Sequence, residues 1–223
     1  MPASTTTLTA ADGHTFSAYL AQPAGTPRGA LVVVQEIFGL NSHVRAVADG
    51  YAADGYLAIA PALFDRIERD IELGYSADDV VRGRALKEAS GNARPLLDIA
   101  AALARVEHAG RTGIVGYCWG GLLSWLAACE LNGLAASVPY YGGGVPGQAA
   151  RKPRCPVMAH FGERDAHIPL PTVEAFHEAQ PGITVHIYAA DHGFNCDQRA
   201  SFDAPSAALA RTRSLDFLRE HVG

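Results

Sequence analysis

Short apolar runs alternate along the chain with longer stretches in which apolar residues return every three or four positions. Residues 30–34 (Ala-Leu-Val-Val-Val) are apolar at every position, as expected of a strand covered on both faces. Residues 14–21 alternate instead and predict an earlier strand, antiparallel to its neighbours. Further strands are predicted at 56–60, 112–116, 135–140, 156–161 and 183–189. Asn41 or Ser42 stands where it would cap a helix running to about Asp54, with Gly55 ending it. A second helical stretch opens at Ser76, is interrupted at Gly91 and Pro95, and resumes to about Val106. Residues 122–131 have almost no polar face and predict a buried helix. Helices at 171–179 and 201–220 complete the pattern. Residues 62–75 read as a long loop, a length often tied to function. Strands alternating with helices predict a three-layer α/β fold around a mostly parallel sheet of seven or eight strands. No linker or internal repeat divides the chain, so one domain is expected over residues 1–223.

Composition narrows the function classes. Hydrophobic residues make up 48% and charged residues 18% of the 223 positions, the balance of a chain with a large core. Eighteen basic residues against 23 acidic ones leave a net charge of -5, so no basic excess recruits nucleic acid or an anionic membrane. No apolar run approaches the roughly 20 residues that span a bilayer. Residues 1–9 are polar and Thr-rich, unlike a secretory leader. The four cysteines, at 118, 129, 155 and 196, form no C-x-x-C pair, and a reducing cytoplasm with free thiols is expected. A monomer is expected because no exposed apolar stripe or heptad stands out.

The sharpest local signal is Gly116-Tyr117-Cys118-Trp119-Gly120-Gly121, between a predicted strand and a buried helix. It has the G-x-nucleophile-x-G form of an elbow that lifts a reactive side chain above a sheet, with Cys where Ser is commoner. Glycines flank such a turn because backbone segments pass closely there. The turn aims the amide of Trp119 at the place where an oxyanion would form. In this arrangement an acid and then a histidine follow the nucleophile in the chain. Asp165 lies in the loop after the predicted strand 156–161, and His192 in the loop after 183–189. Sites in open α/β sheets form outside the carboxyl ends of strands, and all three residues meet that condition. Glu163, Asp191 and His167 share those loops as competitors, and His160, within a strand, reads as a satisfied core histidine.

Together with Gln35-Glu36-Ile37-Phe38-Gly39-Leu40-Asn41 and His192-Gly193-Phe194, these pieces resemble the dienelactone hydrolase family of α/β-hydrolases, over about residues 13 to 221. The resemblance implies a Cys118 nucleophile, a His192 base, an Asp165 that orients it, and a Glu36 beside the thiol that takes part in forming the thiolate. It implies an oxyanion hole from the amides of Ile37 and Trp119. It also implies hydrolysis of a small ester or lactone, most simply dienelactone to maleylacetate, by way of a thioester and with neither metal nor organic cofactor. In the family a Tyr and two Arg help to bind the substrate carboxylate. The Tyr position is Leu86 here, one Arg position corresponds to Arg82, and the other, four residues after the histidine, is Cys196. Phe38 and Phe194 join these as candidate substrate contacts, and Arg66 or Arg199 are alternative anion holders. The residue after the histidine is Gly193, where the family often has Ser.

Other readings remain open on sequence. A broad carboxylesterase or thioesterase would share the machinery. A non-catalytic ligand-binding or thiol redox-sensing relative would need only an accessible Cys118. Gly142-Gly143-Gly144-Val145-Pro146-Gly147 formally matches a dinucleotide-binding glycine pattern, but Pro146 interrupts it.

Overall fold

A computed structural model describes residues 3–223. The strands are β1 (Ala3–Thr9), β2 (Thr15–Ala21), β3 (Ala30–Val34), β4 (Leu57–Pro61), β5 (Thr112–Tyr117), β6 (Leu134–Tyr140), β7 (Met158–Gly162) and β8 (Thr184–Tyr188). They form one sheet in the order β1-β2-β4-β3-β5-β6-β7-β8. The first two pairings, β1 with β2 and β2 with β4, are antiparallel. The others are parallel. The helices are α1 (Ser42–Ala53), α2 (Ala77–Ser90), α3 (Ala93–Val106), α4 (Trp119–Glu130), α5 (Leu170–Ala179) and α6 (Ala204–His221). The expected α/β fold with a mostly parallel sheet is therefore present.

Every residue of β3, β4 and β5 is buried, because helices cover both faces at the centre of the sheet. On one face α6 meets α1, where the Arg211 guanidinium lies 3.7 Å from the centre of the Tyr51 ring. On the other, α3 packs against α4 and both lie on the central strands. The chain order reverses about β3, with β4 on one side and β5 on the other. The crevice between β3 and β5, in register from Ala30 beside Thr112 to Val34 beside Gly116, is thus a topological switch point.

Several boundaries differ from the sequence expectation. β1 is a strand that the pattern did not reveal. It is largely exposed and Thr-rich, so no apolar alternation marks it, yet it pairs with β2 along its whole length. The helix after the elbow starts at Trp119, three residues before its apolar run. Pro95 does not break α3 but sits in its first turn, where a missing N–H costs nothing. The segment 62–75 holds a 3-10 turn at Leu63–Arg66 and a bridge between Gly39 and Glu72. Gln35 anchors that turn, its Oε1 accepting from the Leu63 amide at 3.1 Å. The glycine run after β6 leads into a short 3-10 turn, Pro146–Gln148, rather than a phosphate-cradling helix. His160 is wholly buried, as expected, and bonds the Tyr188 hydroxyl at 2.8 Å and Ser214 Oγ at 2.9 Å. No helix among the described residues is long and apolar enough to cross a membrane.

Arg66 is not an anion holder for the site. Its guanidinium lies between Asp98, at 2.8 Å from both Nε and Nη2, and Asp12, at 2.7 Å. Asp98 is fully buried at the sheet-facing side of α3, and burial pushes its carboxyl up despite Arg66. Removing one member of such a pair strands the other without water. Arg66→Met is therefore expected to cost about 3–5 kcal/mol in urea unfolding, and the double variant with Asp98→Leu to recover most of it.

Candidate active site

The elbow is built by close backbone contacts. Cys118 joins β5 to α4 with φ 54° and ψ -114°, a conformation that costs a side-chain-bearing residue about 1–3 kcal/mol. A Cβ on Gly116 would lie 1.9 Å from the Gly120 carbonyl oxygen, and one on Gly120 would lie 2.4 Å from that of Val34. No larger residue fits either place. The Cys118 amide donates to the Tyr140 carbonyl at 3.1 Å, and its carbonyl accepts from Gly121 at 3.0 Å. The amides of Ile37 and Trp119 have no protein acceptor among the described residues. Both belong to the segments that follow the two central strands.

His192 and Asp165 come from the loops after β8 and β7. Asp165 is buried, and its Oδ2 lies 2.7 Å from His192 Nδ1 while its Oδ1 accepts from the His167 amide at 2.8 Å. The Cys118 sulfur stands close enough to the His192 ring to act on its charge. Tyr141 and His167 hold that ring edge-on, with centroids 5.1 and 5.3 Å away. Burial opposes a charge on His192, but the thiolate of Cys118 and the Asp165 carboxylate outweigh it and push the ring up to about 10. The arrangement therefore favours a charged His192 ring held by a buried carboxylate.

Glu36 follows β3 and is buried. One of its oxygens accepts from Arg199 Nη1 at 3.1 Å, and the other, Oε2, is buried without a partner. Glu36 is thus tied to Arg199 in this structure. Arg199 is the contact that sequence reasoning did not foresee. Its guanidinium also lies 5.7 Å from the centre of the Phe38 ring. Its reach explains Gly193: at φ 80°, a Cβ there would come within 2.4 Å of Arg199 Nη1.

Cys118, His192 and Arg199 open into a cavity of about 580 Å³. Phe38 lines it as expected, but the other substrate contacts carried over from the resemblance do not. Arg82 is exposed on α2 and bonds Glu68 at 2.6 Å. Leu86 is buried on the inner side of the same helix. Phe194 is fully buried between the Tyr141 and Tyr188 rings. Cys196 is fully buried beside the Tyr75 hydroxyl. The α2 residues that do face the cavity are Val80, Arg84 and Lys87. Their i, i+4, i+7 spacing was the available signal. With Arg199 they make the lining cationic, and no carboxylate is among the lining residues described.

A family model described as the dienelactone hydrolase family matches residues 16–222. A carboxymethylenebutenolidase of Pseudomonas putida is 35% identical over 219 residues, which cover 93% of this chain and 92% of that protein. The crystal structure of a protein named "Putative Dienelactone Hydrolase" from Klebsiella pneumoniae superposes with a TM-score of 0.83 at 30% identity, covering 97% of this chain and 98% of that one. A dienelactone hydrolase-like promiscuous phosphotriesterase from metagenomic libraries shares the fold, with a TM-score of 0.77 at 22% identity and full coverage of both chains.

The His192 environment makes a pH-dependent prediction. Its folded value of about 10 lies above the ordinary 6.5, so the charged ring stabilises the fold below pH 6.5, and this contribution fades as the pH rises through about 10. The sulfur is the largest cause acting in that direction. In ring-nitrogen NMR titrations the His192 midpoint is expected well above 6.5 in the wild type, and to fall in Cys118→Ala. An unmoved midpoint would show that the thiolate does not charge the ring.

Proposed function

The chain belongs to the dienelactone hydrolase family, and from that premise we propose that it cleaves a small anionic ester or lactone through a thioester on Cys118. The observation that carries the reading is the convergence of Cys118, His192 and Arg199 on one cavity, with His192 held by the buried Asp165 at 2.7 Å. A thiolate is the nucleophilic form of cysteine, and in this reading His192 takes up the thiol proton.

The Cys118 thiolate adds to the substrate carbonyl carbon, and the carbonyl oxygen takes the negative charge. The Ile37 and Trp119 amides stabilise that oxyanion, each contributing very roughly 3 kcal/mol by analogy with comparable donors. As the tetrahedral intermediate collapses, the carbon–oxygen ester bond breaks and His192 protonates the departing oxygen. In a lactone this opens the ring and leaves a thioester on Cys118. Neutral His192 then takes a proton from water as that water attacks the thioester. Collapse of the second intermediate releases the acid and restores the thiolate–imidazolium pair. Glu36 takes part by holding Arg199 and by placing its unpartnered oxygen within the same charge cluster. The residues supply nucleophile, base and oxyanion donors themselves, so the reading calls for no cofactor.

The cationic lining favours a substrate that carries a carboxylate. Arg84, Lys87 and Arg199 line the same cavity as Cys118, so in this reading an acid group is drawn in while its ester faces the sulfur. The name of the Pseudomonas putida relative makes dienelactone the first substrate to assay, with maleylacetate as product. A volume of about 580 Å³ also leaves room for acyl groups larger than a five-membered lactone, which favours broader carboxylesterase or thioesterase activity as the second reading.

Dienelactone isomers and chromogenic aryl esters assayed side by side separate these readings. Cys118→Ala is expected to lower kcat/KM at least about 10³-fold on every substrate turned over. Equal rates in wild type and variant would remove Cys118 from the mechanism. The double variant Arg84→Gln/Lys87→Gln is expected to raise KM for an anionic ester roughly tenfold while leaving a neutral ester of the same size unchanged. Equal losses on both esters would argue against charge recognition by these two residues.

A further inference from the structure

We infer that His43, Cys196 and Asp197 form a binding site for a zinc-class divalent cation, separate from the Cys118 cavity. One donor atom from each of the three lies within 4.8 Å of the others, and among the described residues they make the one such group of His, Cys and carboxylate side chains. His43 stands in the first turn of α1 and is 4% exposed. Its Nδ1 lies 3.1 Å from Asp197 Oδ1, and its Nε2 is buried without a partner. Cys196 is fully buried, while Asp197 is exposed and free to adjust. His43 and Asp197 also line a second cavity of about 340 Å³, which gives an ion a way in.

Imidazole, thiolate and carboxylate are the donors zinc takes, at about 2.0–2.3 Å. A tetrahedral ion with such bonds spaces its donors about 3.3–3.7 Å apart, so the set needs to close by only about an ångström. On binding, the Cys196 S–H proton leaves to solvent, the imidazole binds as the neutral ring, and the carboxylate is already ionised. Thiolate and carboxylate together cancel the two positive charges. Three protein donors leave a fourth position open toward the cavity for water.

The placement says what an ion would do. His43 follows directly on the segment carrying Glu36 and Ile37. Cys196 and Asp197 lie between His192 and Arg199. Ser42 Oγ already meets Gln198 Oε1 at 3.1 Å across the same seam. A bound ion would clamp together the two loops that hold the catalytic groups, from behind the catalytic cavity.

The test uses the full chain carrying Cys118→Ala, so that neither the reactive thiol nor the catalytic reading enters it. Titration with cobalt(II) is expected to give one ion per chain, with a thiolate-to-cobalt charge-transfer band and the intense visible bands of tetrahedral cobalt, all lost on adding zinc. Zinc is also expected to raise the melting temperature of this protein. Adding Cys196→Ala should abolish the charge-transfer band. Adding Asp197→Asn, at an exposed position where folding is not at issue, should weaken cobalt and zinc at least about tenfold and remove the thermal gain. A missing band in the Cys118→Ala protein, a band that survives Cys196→Ala, or unchanged affinity in Asp197→Asn would each overturn the proposal.

Discussion

The turn at Cys118 is the constraint on which the rest of the site depends. With φ at 54° the residue leaves β5 and enters α4 without a connecting loop, so its sulfur stands above the carboxyl edge of the sheet rather than in it. That turn is possible only because the α4 backbone presses against Gly116 and against the end of β3. The strain is offset locally by backbone bonds to Tyr140 and Gly121 and more widely by α4 itself, buried over almost its whole surface. Because β3 and β5 are neighbours at the switch point, the same contact brings the Ile37 segment opposite the helix start. Ile37 and Cys118 thus line one cavity without any long side chain having to reach.

Charge is arranged in two layers around that turn. Nearest the sulfur lies the pair His192 and Asp165, in which a buried carboxylate is satisfied by an imidazole and by a backbone amide. Around it lies the pair Glu36 and Arg199, also largely withdrawn from water. A buried carboxylate with one unpartnered oxygen is costly unless a cation stands close, and Arg199 is that cation. The positive charge facing the cavity is therefore not a surface accident. It follows from holding a carboxylate beneath the floor of the site, and it biases the cavity toward anionic ligands.

Much of this was legible in the sequence. The continuous apolar run at 30–34 and the buried helix after Cys118 required a sheet covered on both faces. The elbow and the order of Cys118, Asp165 and His192 pointed to one edge of that sheet. What was not legible has identifiable causes. β1 is polar on both faces and shows no period. Arg82 and Leu86 were aligned by position along a helix, whereas cavity contact follows the helical face, which Val80, Arg84 and Lys87 occupy. Arg66 carries the same charge as Arg199 and sits in the long loop, but its guanidinium is consumed by Asp12 and Asp98. Nothing local in the sequence shows that Arg66 is consumed away from the cavity while Arg199, paired with Glu36, also lines it.

In the stretch from His192 to Arg199, Gly193 and Arg199 are coupled by the space they share. An arginine that reaches Glu36 from position 199 must pass over the backbone of residue 193, and the space for it exists only if that residue has no Cβ. Glycine also permits the positive φ that the chain adopts there. Between them, position 196 holds a small thiol in a fully buried place near Tyr75 and Glu36. A Cβ at 193 would meet the Arg199 guanidinium, so neither position can change without the other giving way. Arg199 thus reaches the buried Glu36 carboxylate only across a residue that has no side chain.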